Sequence, residues 1–200
     1  MTTSERANKL TNNVWFTRKA WINAEDRLLK NDFQTQLLMV VYAAYTSCLS
    51  VIMLKYDPRP ADKNFIDTSL AVLSIVLLAL SLYLNTKSFK DRAARFKSGY
   101  HDLQRIEDRL RLLTEKAESP EAEQDYNALL DHYNKALRDV ENHSDLDDIR
   151  ARILAGTGLT SRLLTWQERG RYYWWRLWRF TSLFIAYAAP VAAVLWYIVK

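Results

Sequence analysis

Polar side chains inside otherwise apolar stretches are where residue type and spacing first point to chemistry in this 200-residue chain. Ser74, Ser81 and Ser88 recur at every seventh position, Asn85 follows Ser81 by one turn, and Asp67 precedes Ser74 by one heptad. On a helix all five share a face. Such a face serves either of two ends: small hydroxyl residues let neighbouring helices approach and hydrogen-bond, or the stripe lines a water-filled path in an oligomer. A weaker polar set, Thr35, Gln36, Tyr42, Thr46, Ser47 and Ser50, lies in an earlier apolar stretch. Neither stretch carries an acid, base or histidine at depth, which argues against proton-coupled transport. A single short connecting loop and the lack of paired interrupted helices argue against substrate transport.

Catalytic constellations are thin. His101, His132 and His143 are the three histidines, and no Ser/His/Asp set, HExxH or glycine-rich phosphate loop accompanies them. His132 with Asp131 or Glu141 makes a conceivable metal site, but exposed helical histidines are the plainer reading, so no catalytic residue, metal or cofactor is assigned. Cys48 is the one cysteine, which leaves no intrachain disulfide and no Cys-x-x-Cys set. The acidic residues from Asp102 to Asp148 mostly alternate with Lys and Arg and read as a solvated face.

The elements that must position these residues are apolar helices. Residues 33–54, 68–86 and 180–199 carry no charge, and each is near the roughly 20 residues that a helix needs to cross a hydrocarbon core of about 30 Å. The mean hydropathy of −0.26 hides them, because every charge is crowded into the rest of the chain. A signal peptide is a poor fit to the first window, since a long polar segment precedes it and no small-residue cleavage site follows. The net charge is +5, yet between 100 and 150 Asp and Glu outnumber Lys and Arg two to one. Basicity therefore sits beside the apolar windows, which disfavours nucleic-acid binding and favours anionic lipid and topology signals. Lys and Arg are dense before the first window, after the second and before the third, so those segments are expected on the cytoplasmic side, with the loop 55–67 and the carboxyl terminus outside.

Before the first window, Val14/Trp15, Trp21/Ile22 and Leu28/Leu29 recur at heptad spacing, with Thr17 and Ala24 between them. This marks an amphipathic helix that either lies on lipid or packs on other helices. Past the second window, Phe96, Tyr100, Leu103, Ile106, Leu110, Leu113 and Ala117 form one seam, and Ala122, Tyr126, Leu129, Tyr133, Ala136/Leu137 and Val140 a second. Ser119-Pro120 between them is a cap and restart, so the two seams predict an antiparallel hairpin. Ser144 with Asp147 predicts a capping box for a short helix to about Ala155, and Gly156-Thr157-Gly158 a hinge. A helix from Thr160 onward is expected to run into the third window. Trp174, Trp175, Trp178, Arg176 and Arg179 form a headgroup-level belt of interfacial anchors on it, and Pro190 is a candidate kink.

The fold class expected is an all-α membrane protein with three transmembrane helices, an amphipathic N-terminal helix and a cytoplasmic helical hairpin. Its parts are the N-terminal helix (1–32), a two-span hairpin (33–88), the cytoplasmic hairpin with the short helix (89–158), and an interfacial segment leading into the third span (159–200).

The order and spacing of Trp15, Thr17-Arg18-Lys19, Arg27-Leu28, two close spans, then Tyr126, Leu129, Tyr133, Glu141-Asn142-His143 and Asp147 resembles the SLATT family of bacterial two-span membrane effectors over roughly residues 10–155. The resemblance implies a non-enzymatic, oligomeric, pore-forming or membrane-disrupting effector of an anti-phage system in the bacterial inner membrane. It also implies a separate partner, either a sensor, a nucleotide-signalling enzyme or a reverse transcriptase. The alternative it leaves is a non-conducting membrane anchor for such an enzyme. Glu141, Asn142, His143 and Asp147 carry over as family positions for helix termination, capping and a polar contact to a neighbouring helix, with ligand contact by His143 as the rival role. The third span departs from the two-span plan.

Overall fold

In the computed structural model, residues 2–55, 60–115, 119–156 and 161–199 are described, and they are mostly helical with no strand among them. α1 (Thr3–Lys55) is a single uninterrupted helix. It is followed by α2 (Pro60–Thr86), α3 (Phe89–Thr114), α4 (Pro120–Asp139), α5 (Asp145–Ala155) and α6 (Trp166–Val199). The expected boundary between an N-terminal helix and the first span is thus a change of surroundings along one helix, not a break.

The chain divides into two compact units. The first comprises residues 1–29 and 90–174. Its core is the apolar face of α1, with Val14, Phe16, Trp21, Ala24 and Leu28 buried, together with Phe96, Leu103 and Leu110 of α3 and Ile149 of α5. The amphipathic N-terminal face therefore packs on helices and does not lie on lipid. Leu29, at the edge of that face, stays exposed. Of the seam residues on α3 and α4, Phe96, Leu103, Ile106, Leu110, Leu113, Ala122, Tyr126, Leu129 and Val140 are buried. Tyr100 and Tyr133 are half-buried, and Ala117 lies outside the described residues.

Trp21 and Gly99 show how closely α1 and α3 approach. A Cβ on Gly99 would stand 2.5 Å from Cζ3 of Trp21 and 2.8 Å from Cγ2 of Val140, so only glycine fits. The Trp21 ring also meets Phe96 edge-on at 6.1 Å. Arg92 Nε donates to Glu141 at 2.8 Å, which places the start of α3 beside the end of α4.

The second unit comprises residues 30–89 and 175–200. Among the described residues, two helices are long and apolar enough to cross a membrane, within Thr3–Met53 and Lys63–Thr114, and nothing in either apolar window is buried. A core helix of a soluble protein would be covered; here Phe33, Val40, Ile75 and Leu82 face outward. An exposed apolar surface of this length has lipid as its natural solvent. Inside this unit Tyr42 Oη donates to the carbonyl of Ala186 at 2.9 Å, and Tyr187 Oη donates to Oε1 of Gln34 at 2.9 Å. Both polar tips are satisfied by neighbouring helices, as an apolar solvent demands. The third charge-free window belongs to α6, but side chains from 193 on lie outside those described.

Helix ends follow the local chemistry. Ser119, in extended conformation, accepts the Ala122 N–H at 3.1 Å, and Pro120 occupies the first helical position of α4. α2 closes on two short-range bonds, Lys87 N–H to Leu84 O and Ser88 N–H to Asn85 O, and Ser88 sits at φ +44°. Gly156 ends α5 at φ +62°, while the rest of the expected hinge, Thr157 and Gly158, lies outside the described residues. Residues 161–165 are not helical, so α6 starts at Trp166 instead of near 160. A capping box sets that start: Thr165 Oγ1 accepts the Glu168 N–H at 3.3 Å, and Glu168 Oε2 accepts the Thr165 N–H at 2.9 Å.

Candidate functional site

The polar stripe lies on α2. Asp67, Ser74 and Asn85 are exposed and Ser81 is half-buried. The Ser74 hydroxyl donates to the carbonyl of Leu70 at 2.9 Å, the local satisfaction available to a hydroxyl on a helix in an apolar solvent. Ser88 departs from the expectation. It lies two residues past Thr86, the last residue of α2, at positive φ and so does not continue the stripe on the helix.

The family positions cluster around α5, in the first unit. Asp147 is 3 % exposed, and its carboxylate takes two parallel hydrogen bonds from Arg27 of α1, Nε to Oδ1 and Nη2 to Oδ2, each 2.9 Å. The same Oδ2 accepts the backbone N–H of Ser144 at 3.0 Å and its hydroxyl at 2.8 Å, the reverse arm of the expected capping box. Asn23 Nδ2 donates to the backbone carbonyl of Asp147 at 3.1 Å. One carboxylate thus starts α5 and docks it on α1. Glu141 instead pairs with Arg92, Asn142 is exposed, and His143 is half-buried.

Charged groups on α5 tie it in two directions. Arg150 Nη1 donates to Asp26 of α1 at 2.6 Å. Arg152 holds Asp148 on its own helix at 3.0 Å and Glu168 of α6 at 2.6 Å, and Arg171 of α6 reaches Asp145 at 3.4 Å. The hydrogen bond from Arg152, aided by the Thr165 N–H, lowers the Glu168 carboxyl to about 2. Arg152 is raised despite the opposing cost of its burial, because Glu168 and Asp148 favour its charge.

Two acidic residues within the stretch read as a solvated face are buried and paired, one of them Asp147, for which capping and a contact to a neighbouring helix were expected. Besides Asp147, Glu107 of α3 is 2 % exposed between Arg18 of α1, 3.0 Å away, and Arg111, at 2.6 Å. The Arg18 Nε and Glu107 Oε2 atoms meet off the hydrogen-bond axis, so that contact is mainly coulombic. Sequence reasoning missed these partners: nothing local to Glu107 or Asp147 reveals an arginine supplied from far away along the chain. The available signal was position, since Glu107 falls next to Ile106 and one turn before Leu110 on the buried side of α3.

Of the expected interfacial anchors, Trp174, Trp178 and Arg176 are exposed. Trp175 is half-buried, with the Arg179 guanidinium 5.5 Å over its ring. Among the described residues no three His, Cys, Asp or Glu are placed to hold a metal ion.

Long uncovered apolar helices joined to a bundle bound by buried ion pairs define a helical membrane protein. The chain matches the model of the SMODS and SLOG-associating 2TM effector domain family, family 5, over residues 3–196, and it belongs to that SLATT family. The match extends past the 10–155 stretch that carried the resemblance and takes in α6, so α6 belongs to the family domain. The family description is of a membrane effector and not of a catalytic domain. No curated protein and no solved structure matches the chain.

Proposed function

We propose that this protein is an oligomeric effector of a bacterial anti-phage system that permeabilises the inner membrane when a SMODS- or SLOG-type partner activates it. The observation that carries the reading is the coexistence, on α2, of an apolar window with no buried residue and a polar line through Asp67, Ser74, Ser81 and Asn85. A lone helix in lipid gains nothing from such a line, whereas several copies with their lines turned inward enclose a wettable path. Family membership supports the effector role and the partner class. In this arrangement the amino terminus and the first unit are cytoplasmic, α6 is a third span, the carboxyl terminus is periplasmic, and α3 and α4 form an antiparallel hairpin.

Two readouts test it. Full-length protein reconstituted with the partner encoded beside it is expected to release potassium from loaded liposomes. Ser81→Leu is expected to abolish that release, together with toxicity and dye entry in cells. Release by the Ser81→Leu variant at the wild-type rate removes the stripe as the path. No release by the wild type replaces the effector reading with that of a non-conducting anchor.

A further inference from the structure

The exposed stripe of α6 is, we infer, where one copy of this chain meets another, helix against parallel helix; this rests on the oligomeric reading above and names its contact. The seams on α3 and α4 are not available for that purpose, because Phe96, Leu103, Leu110 and Tyr126 are buried within the chain. Apart from the apolar windows of α1 and α2, one face of α6 stays uncovered. Trp166, Gly170, Tyr173, Leu177, Phe180 and Phe184 follow in steps of four and three, a seam of period 3.5. The five side chains in it are between 55 % (Tyr173) and 82 % (Trp166) exposed, while Tyr172 and Pro190, off that stripe, are buried.

Lipid does not cover this stripe from end to end. The helix from Trp166 to Phe180, where the charge-free window begins, rises roughly 21 Å at about 1.5 Å per residue. The headgroup layer on one side of a bilayer is only about 5–8 Å thick. Trp178 falls at its level, but Trp166 and Tyr173 stand beyond it, and α6 has no proline before Pro190 to turn that stretch flat on the surface.

A water-soluble partner fails at the other end, since it cannot reach Phe184 inside the charge-free window. The stripe keeps its phase through both environments, so its occupant is a helix that is itself half aqueous and half apolar. A second α6 has that composition. The flanking positions agree: in a parallel pair Arg169 of one helix meets Trp174 of the other, a guanidinium against an indole face. Gly170, with nothing within 4 Å, lets the two backbones approach.

Cysteine cross-linking of the full-length protein in native membranes tests the contact. In a Cys48→Ser background, single variants Gly170→Cys, Tyr173→Cys and Leu177→Cys are oxidised beside Arg171→Cys and Trp178→Cys, which point away from the seam. A species of twice the 23.4 kDa monomer mass is expected, several-fold stronger at 170, 173 and 177 than at 171 and 178. Adding Tyr173→Glu, at an exposed position that leaves the core intact, is expected to remove the dimer formed by Leu177→Cys. Equal yields at all five positions, no dimer at any, an adduct of another mass, or a dimer that survives Tyr173→Glu overturns the proposal. Potassium release without the phased cross-links overturns this contact alone, whereas phased cross-links without release overturn the conducting reading alone.

Discussion

Arg27 and Asp147 meet through two parallel hydrogen bonds of 2.9 Å, and this one contact both caps α5 and fastens it to α1. With Asp147 3 % exposed, deleting the arginine strands a buried carboxylate, a loss worth about 3–5 kcal/mol. Arg27→Ala is expected to destabilise by that order, and Arg27→Lys by most of it, because an ammonium cannot reproduce the two-pronged geometry. Asp147→Asn is expected to cost less, since it removes the charge along with its partner's purpose. Thermal unfolding in detergent measures each, and the Arg27→Ala/Asp147→Ala double mutant gives their coupling; strict additivity of the two single losses contradicts a direct pair.

Glu168 supplies a pH dependence. Its carboxyl is held near 2 in the folded protein, against 4.5 for a free glutamate, so its contribution is complete above about pH 5 and is lost as pH falls toward 2. Acid unfolding of the wild type and of Glu168→Gln, compared between pH 6 and 2, is expected to show a stability difference that shrinks toward zero at the acid end. A difference that stays constant across that range excludes the ion pair with Arg152 as its source.

The apolar windows, the buried seams on α3 and α4 and the Ser119 and Ser144 helix starts were legible because each depends on residues within a turn or two of one another. The arginine partners of Glu107 and Asp147 were not, since whether a carboxylate is solvated or buried depends on an arginine that only the tertiary fold brings near. The start of α6 falls between these cases. Thr165-Trp166-Gln167-Glu168 is a capping box in plain sequence, but it is easily passed over beside the glycine pair at 156 and 158. The seven-residue spacing of Asp67, Ser74 and Ser81 lies on α2, but the helix ends before Ser88, where a turn replaces it.

Gly99 is expected to tolerate no side chain. The methyl of Gly99→Ala would meet the Trp21 ring and Val140 well inside van der Waals contact, and overpacking of this kind costs about 1–3 kcal/mol. Gly170→Ala, on an open stretch of α6, is expected to be neutral or stabilising in monomeric protein, as glycine is a poor helix former. Thermal melts of the two variants in the same detergent should move apart, and a shared downward shift contradicts the close approach of α1 and α3.

Ser88 gives a prediction about the joint between α2 and α3. A serine at φ +44° carries a strain that a residue without Cβ avoids, so Ser88→Gly is expected to stabilise by about 0.5–1 kcal/mol, once the extra freedom of glycine in the unfolded chain is set against the relief. Ser88→Val, β-branched and unsuited to that region, is expected to destabilise by more than the glycine gains. If Ser88 instead continued the α2 helix as the fifth member of the polar stripe, both signs would reverse: glycine would weaken the helix by up to about 1 kcal/mol, and valine would be nearly silent. The pair of melts therefore decides between a turn and a helix at this position, and with it whether the polar line on α2 ends at Asn85.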